Sequence, residues 1–143
     1  MTHWSGIGHK FGLTKPKAAM EFSVEGQTSG RLNRDGIQIH TPEEFAGMRA
    51  SGQLAAQILD MIADHVVPGV TTEKLDTLCH DFMVANNAVP ATLGYKGYPK
   101  SSCISINHVV CHGIPSDKIL KDGDVLNIDV TCILDGWYGD TSR

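Results

Sequence analysis

The sequence predicts an α+β fold, two helices packed on an antiparallel sheet, and three observations predict it. Two capped helical patterns occupy residues 41–87, and β-rich runs fill residues 102–142. An Asp135-Gly136 pair then splits the last of these runs into a hairpin. Helices first and adjacent strands after is the order of an α+β domain rather than of a βαβ sheet.

Residues 1–40 are rich in Gly, Ser, Lys and Thr and show no sustained periodicity, so they read as a poorly ordered extension. The folded part, residues 41–143, opens on Thr41-Pro42-Glu43-Glu44, which places a threonine at the N-cap, proline at N1 and glutamate at N3. Phe45, Met48, Ala55, Leu59, Ile62 and Val66 follow at helical spacing, and Pro68-Gly69 should stop that helix. A second helix starts at Thr71, carries Leu75, Leu78, Cys79, Phe82 and Met83 on one stripe, and ends near Asn86-Asn87. The Phe and Met residues of both stripes are expected in the core. A Gly/Tyr/Pro-rich loop spans residues 94–100. Strands are then expected over residues 102–106 and 109–112, separated by a turn at Asn107-His108.

The final hairpin is the most informative segment. Asp-Gly suits a type I′ turn because both central residues need positive φ. With a two-residue loop, Leu134 pairs with Trp137 and Thr131 with Asp140. Asp129 then becomes the diagonal neighbour of Asp140, with Cα atoms roughly 7–8 Å apart. Leu126, Ile128, Val130, Cys132 and Leu134 occupy the other face as an apolar row. One face is therefore core, and the other carries two like charges that repel unless a cation lies between them. Two strand carboxylates facing water is the plainer alternative, although Asp is depleted in strands.

The net charge of −4 is unevenly spread, +2 over residues 1–40 and −6 over the remainder. The chain lacks the clustered Lys/Arg with aromatics of a nucleic-acid surface and any apolar run of membrane-spanning length, so a soluble, cytoplasmic protein is expected. Cys79, Cys103, Cys111 and Cys132 show no metal-finger spacing and read as reduced, mostly buried thiols. His112 taken alone is most simply a surface or core histidine. Its place beside the candidate hairpin raises its interest.

Residues 97–115 read GYPKSSCISINHVVCHGIP, residues 121–131 KDGDVLNIDVT and residues 135–143 DGWYGDTSR. In order and spacing, these runs resemble the first half of the bacterial type I methionine aminopeptidases. The resemblance implies a pita-bread fold, two pseudo-symmetric α+β halves around a dinuclear centre. It also implies removal of the initiator methionine from nascent polypeptides whose second residue is small. By the same resemblance, Asp129 binds one of two divalent ions (Co, Mn, Fe or Zn) and Asp140 bridges both. His112 contacts the substrate and aids catalysis, while Tyr95, Tyr98 and Cys103 surround the methionine side chain. Thr92 stands where many members have cysteine. Read without the family, the tyrosines are ordinary loop packing and Cys103 a core thiol.

The family's remaining metal ligands and its second substrate histidine belong to a following half. The expectation is therefore that these 143 residues alone do not catalyse. The last strand is expected to present an open edge that invites association. An Xaa-Pro aminopeptidase or prolidase activity, and a non-catalytic half-domain, are the alternatives.

Overall fold

Two helices lie across a four-stranded antiparallel sheet in the computed structural model, which describes residues 31–143. The reading of residues 1–30 as an extension lies outside the described residues. Within the expected extension, residues 31–39 form a small exposed hairpin, β1 (Arg31–Leu32) with β2 (Gln38–Ile39). Its turn is organised by Asn33, whose side-chain oxygen accepts from the Asp35 and Ile37 N–H groups, each at 2.9 Å.

Helix α1 spans Pro42–Ala63 and begins on the expected capping box. Thr41 Oγ1 accepts from the Glu44 N–H at 3.3 Å, and Glu44 Oε2 accepts from the Thr41 N–H at 2.7 Å. The helix stops at Ala63, before the expected Pro68-Gly69. The amides of His65 and Val66 turn back to the Ile62 and Ala63 carbonyls and close it early. The buried stripe runs Ser51, Leu54, Ala55, Ile58, Leu59, Ile62. Phe45 and Met48, expected in the core, are exposed, because the stripe that meets the sheet begins only at Ser51. Helix α2 (Thr72–Ala85) follows its predicted bounds and buries Leu75, Cys79 and Met83.

In the sheet, β5 (Leu126–Leu134) is central. Along one side it pairs β4 (Cys103–Ile106) and then β3 (Val89–Pro90), and along the other β6 (Trp137–Ser142). The hairpin register is the expected one: Leu134 opposes Trp137, Thr131 opposes Asp140, and Asp129 opposes Ser142. Asp135 and Gly136 have φ of +50° and +83°, as the primed turn requires. Ile128, Val130 and Cys132 are buried, with Leu126 and Leu134 packed at the margin of the same core.

A seam of small residues lets α1 approach the hairpin backbone. The Ser51 hydroxyl donates to the Trp137 carbonyl at 2.8 Å. A Cβ on Gly139 would stand 2.2 Å from the Ser51 carbonyl oxygen, and one on Gly47 would stand 2.3 Å from Trp137 Nε1. No strand forms over residues 109–112. That segment is irregular, with Val110 91% exposed; backbone hydrogen bonds tie it to β4 at its two ends, from the Val109 N–H to the Ile106 carbonyl at 3.2 Å and from the Ile104 N–H to the carbonyl of the following Gly113 at 2.9 Å.

Candidate metal and substrate site

The face of β5–β6 turned away from the helices forms the floor of a cleft of about 740 Å³. Alternation along the strands brings Asp129, Thr131, Tyr138 and Asp140 to this face. Tyr95 and Tyr98 enter from the loop after β3, Cys103 from the start of β4, and His112 from the segment that follows it. All six residues singled out in the sequence line this one cleft.

Their settings differ. Asp129 is half-buried, and burial raises its pKa; the nearby Asp140 charge adds to that rise and His112 partly offsets it. Thr131 Oγ1 donates to Asp140 Oδ1 at 3.1 Å and orients that carboxylate. A half-buried carboxylate beside a second one is an environment that gains from binding a cation. His112 is exposed on the cleft wall, in a loop rather than at a strand end, and its φ is +54°. For a non-glycine residue that conformation costs about 1–2 kcal/mol, so its surroundings must impose it.

The two tyrosines are unlike. Tyr95 is exposed, with Lys96 Nζ 5.4 Å from its ring centroid. The Tyr98 hydroxyl reaches back into the protein, toward the carbonyls of Ser102 at 3.1 Å and Gly113 at 2.9 Å, sharing one hydrogen between them. Burial, with the Cys103 thiol close by, pushes the Tyr98 pKa upward, so the hydroxyl remains a donor. Cys103 is itself buried, which raises its pKa. Thr92 also lines the cleft, and its Oγ1 is a buried polar atom without a hydrogen-bond partner among the described residues.

Sequence reasoning passed over several groups here. Tyr138 and Thr131 were available from the same alternation that paired the aspartates. Asp76 carried no such signal. It is buried on α2, where its Oδ1 accepts from the Ser101 N–H, the Ser102 N–H and the Ser102 hydroxyl at 3.0, 2.8 and 2.7 Å. That carboxylate anchors the end of the tyrosine loop where it enters β4.

Residues 46–143 match the model of metallopeptidase family M24. The chain belongs to metallopeptidase family M24. Among M24 relatives it is 67% identical over 107 residues to a methionine aminopeptidase of Rickettsia prowazekii (strain Madrid E), covering 75% of this chain and 41% of that protein. The crystal structure of methionine aminopeptidase from Rickettsia prowazekii superposes with a TM-score of 0.74 at 67% identity, over 75% of this chain and 43% of that one. Aminopeptidase P from E. coli superposes with a TM-score of 0.61 at 22% identity, over 73% of this chain and 23% of its own, which establishes a common fold alone. The fold is thus the pita-bread fold of M24, and the two helices with their antiparallel sheet are consistent with one of its halves. The chain spans about 41% of the length of the first curated relative it matches.

An M24 metallopeptidase works with divalent metal, and the donor chemistry here fits one in part. Asp129 and Asp140 offer hard oxygen ligands on a shared face. Among the described residues, no group of three or more His, Cys, Asp and Glu side chains could close around an ion.

Proposed function

We propose that this chain carries the amino-terminal part of a methionine aminopeptidase centre. In this reading it acts in the cytoplasm on nascent polypeptides that begin with methionine followed by a small residue. The observation that carries the reading is the meeting of Asp129, Asp140 and His112 with the tyrosine loop in one cleft. The 67% identity to a methionine aminopeptidase supports it over the Xaa-Pro enzymes, whose likeness is confined to the fold.

In this reading Asp129 and Asp140 hold part of a pair of divalent ions, and other groups complete the ligand set. Oxygen-rich ligation suits Mn²⁺, Fe²⁺ or Co²⁺, with Zn²⁺ the further candidate. When bound, the ions supply Lewis acidity and an activated water. Asp140 is held in orientation by Thr131. His112 donates a hydrogen bond to the charge that develops on the scissile carbonyl oxygen, a contact typically worth a few kcal/mol. Tyr95, Tyr98 and Cys103 form the walls that receive the methionine side chain.

The test is hydrolysis of Met-Ala-Ser and Ala-Pro-Ser peptides by the complete metal-loaded protein, beside Asp129→Asn and Asp140→Asn. Release of methionine from the first peptide alone, abolished in both variants, is expected. Preference for the Ala-Pro peptide would assign the centre to the Xaa-Pro class. Full turnover in either variant would remove that aspartate from the site.

A further inference from the structure

His112 sits at a strained backbone position in a segment with no strand to hold it, yet the residue after it is fixed on every side. The Gly113 N–H donates to Ser105 Oγ at 3.1 Å. The Gly113 carbonyl accepts from the Ile104 N–H at 2.9 Å and from the Tyr98 hydroxyl at 2.9 Å. Its Cα rests so close to β4 that a Cβ would stand 2.2 Å from the Ile104 carbonyl oxygen. Only glycine fits there.

Both hydroxyls are themselves immobilised. Ser105 is 4% exposed and belongs to β4, opposite Asn127 on the central strand. The hydrogen of the Tyr98 hydroxyl is shared with the Ser102 carbonyl, and Ser102 is bound to the buried Asp76 carboxylate of α2. A rigid path therefore runs from helix α2 and strand β4 to the peptide that follows His112. A left-handed non-glycine residue persists only where its surroundings over-determine it, and these contacts do so.

We propose that Ser105 and Tyr98 are positioning residues for His112: their two hydroxyl groups clamp Gly113 and so hold the imidazole in the cleft. The role given to His112 rests on the function proposed above, whereas the clamp is a matter of geometry that can be tested without turnover. Tyr98 thereby serves twice, its ring as pocket wall and its hydroxyl as a tether. The hydroxyl group of Ser105 touches only the Gly113 backbone among the described hydrogen bonds and acts through it.

The experiment is NMR of the 143-residue chain with labelled histidine and glycine, comparing the parent with Ser105→Ala and Tyr98→Phe. Each variant deletes one oxygen or hydroxyl and leaves the packing in place. The Gly113 amide should exchange with solvent roughly fivefold to tenfold faster in Ser105→Ala, as expected for one lost hydrogen bond. The His112 ring resonances should shift or broaden in both variants, with those of His65 unchanged. His112 ring resonances that keep their parental positions in both variants would overturn the proposal.

A kinetic cycle separates this from the catalytic reading. In the complete metal-loaded protein, Ser105→Ala should lower kcat for a Met-Ala-Ser peptide with KM little altered, and should cost nothing further when combined with His112→Ala. A full Ser105→Ala loss in the absence of His112 would overturn the clamp as the route of action. Parental turnover in His112→Ala alone would instead overturn the catalytic reading of His112, leaving the resonance result to decide the clamp.

Discussion

The β5–β6 hairpin and the segment from Asn107 to Gly113 both deliver a side chain to the same cleft, and they do it by different physics. The hairpin carries Asp129 and Asp140 on a continuous ladder with a primed two-residue turn. Its position is set by alternation, by an apolar face on the core, and by backbone contact with α1. The 107–113 segment carries His112 without a ladder. It is held at its start by Asn107, which exchanges hydrogen bonds with Val125, by the Val109 N–H on the Ile106 carbonyl, and at its end by the Ile104 N–H and two hydroxyl groups at Gly113. Regular structure places the carboxylates cheaply and firmly, whereas side-chain tethers allow the imidazole a conformation that no strand would permit.

Substitutions at the contacts that differ should break this contrast. The largest effect is expected for Gly139→Ala, which drives a methyl into the Ser51 carbonyl and must part α1 from β6. A loss of about 3 kcal/mol in global stability by denaturant unfolding is expected, at the upper end for overpacking against backbone. Gly136→Ala should cost less, about 1 kcal/mol, because it strains the turn at φ +83° while leaving the space around it open. A loss as large as that of Gly139→Ala would mean that the turn, rather than the seam, fixes the hairpin.

Cysteine chemistry sharpens the comparison further. Cys132 lies beneath the hairpin and is fully buried, whereas Cys111 is exposed on the loop. A thiol-specific disulfide reagent should label Cys111 at once and Cys132 only as fast as the core opens. Cys79, buried on α2, has its pKa pushed up to about 12 from the usual thiol range, by burial first and then by the Asp76 charge. The folded state thus holds this proton more tightly than the unfolded chain does. Its contribution is fully present below pH 9 and is lost as pH rises toward 12. Thermal midpoints should fall across that window, and Cys79→Ala should flatten the fall. The smallest effect belongs to Val110→Asn, where a 91% exposed side chain on the loop should change stability by less than about 0.5 kcal/mol.

The same contrast explains what could be read from the residues. The hairpin register, its turn and its two faces are local consequences of period-two patterning and of Asp135-Gly136, so they were legible in full. The capping box at Thr41 was legible for the same reason. Val109-Val110-Cys111 has the composition of a strand, but its fate is decided by Ser105 and by Tyr98, and no periodicity reveals a tether of that kind. The early end of α1 and the exposure of Phe45 and Met48 depend on how far the sheet reaches along the helix. In the site, the carboxylate pair followed from geometry. The tyrosines, Cys103 and His112 entered through family resemblance, and the structure brings them to the same cleft. Asp76 escaped notice because a buried acidic residue next to Leu75 looks, in sequence, like any polar position on a helix.

The close approach of Ser51 to Gly139 makes helix α1 a gauge for the distance between the two carboxylates. Asp140 follows Gly139 directly, and Asp129 lies on the neighbouring strand of the same hairpin, so the bite of the pair inherits the tilt of that helix. Any change that re-angles α1 by the width of a methyl group would open or narrow this bite. If the two carboxylates share ions as proposed, the range of ionic radii they accept would then be tuned from the opposite side of the sheet.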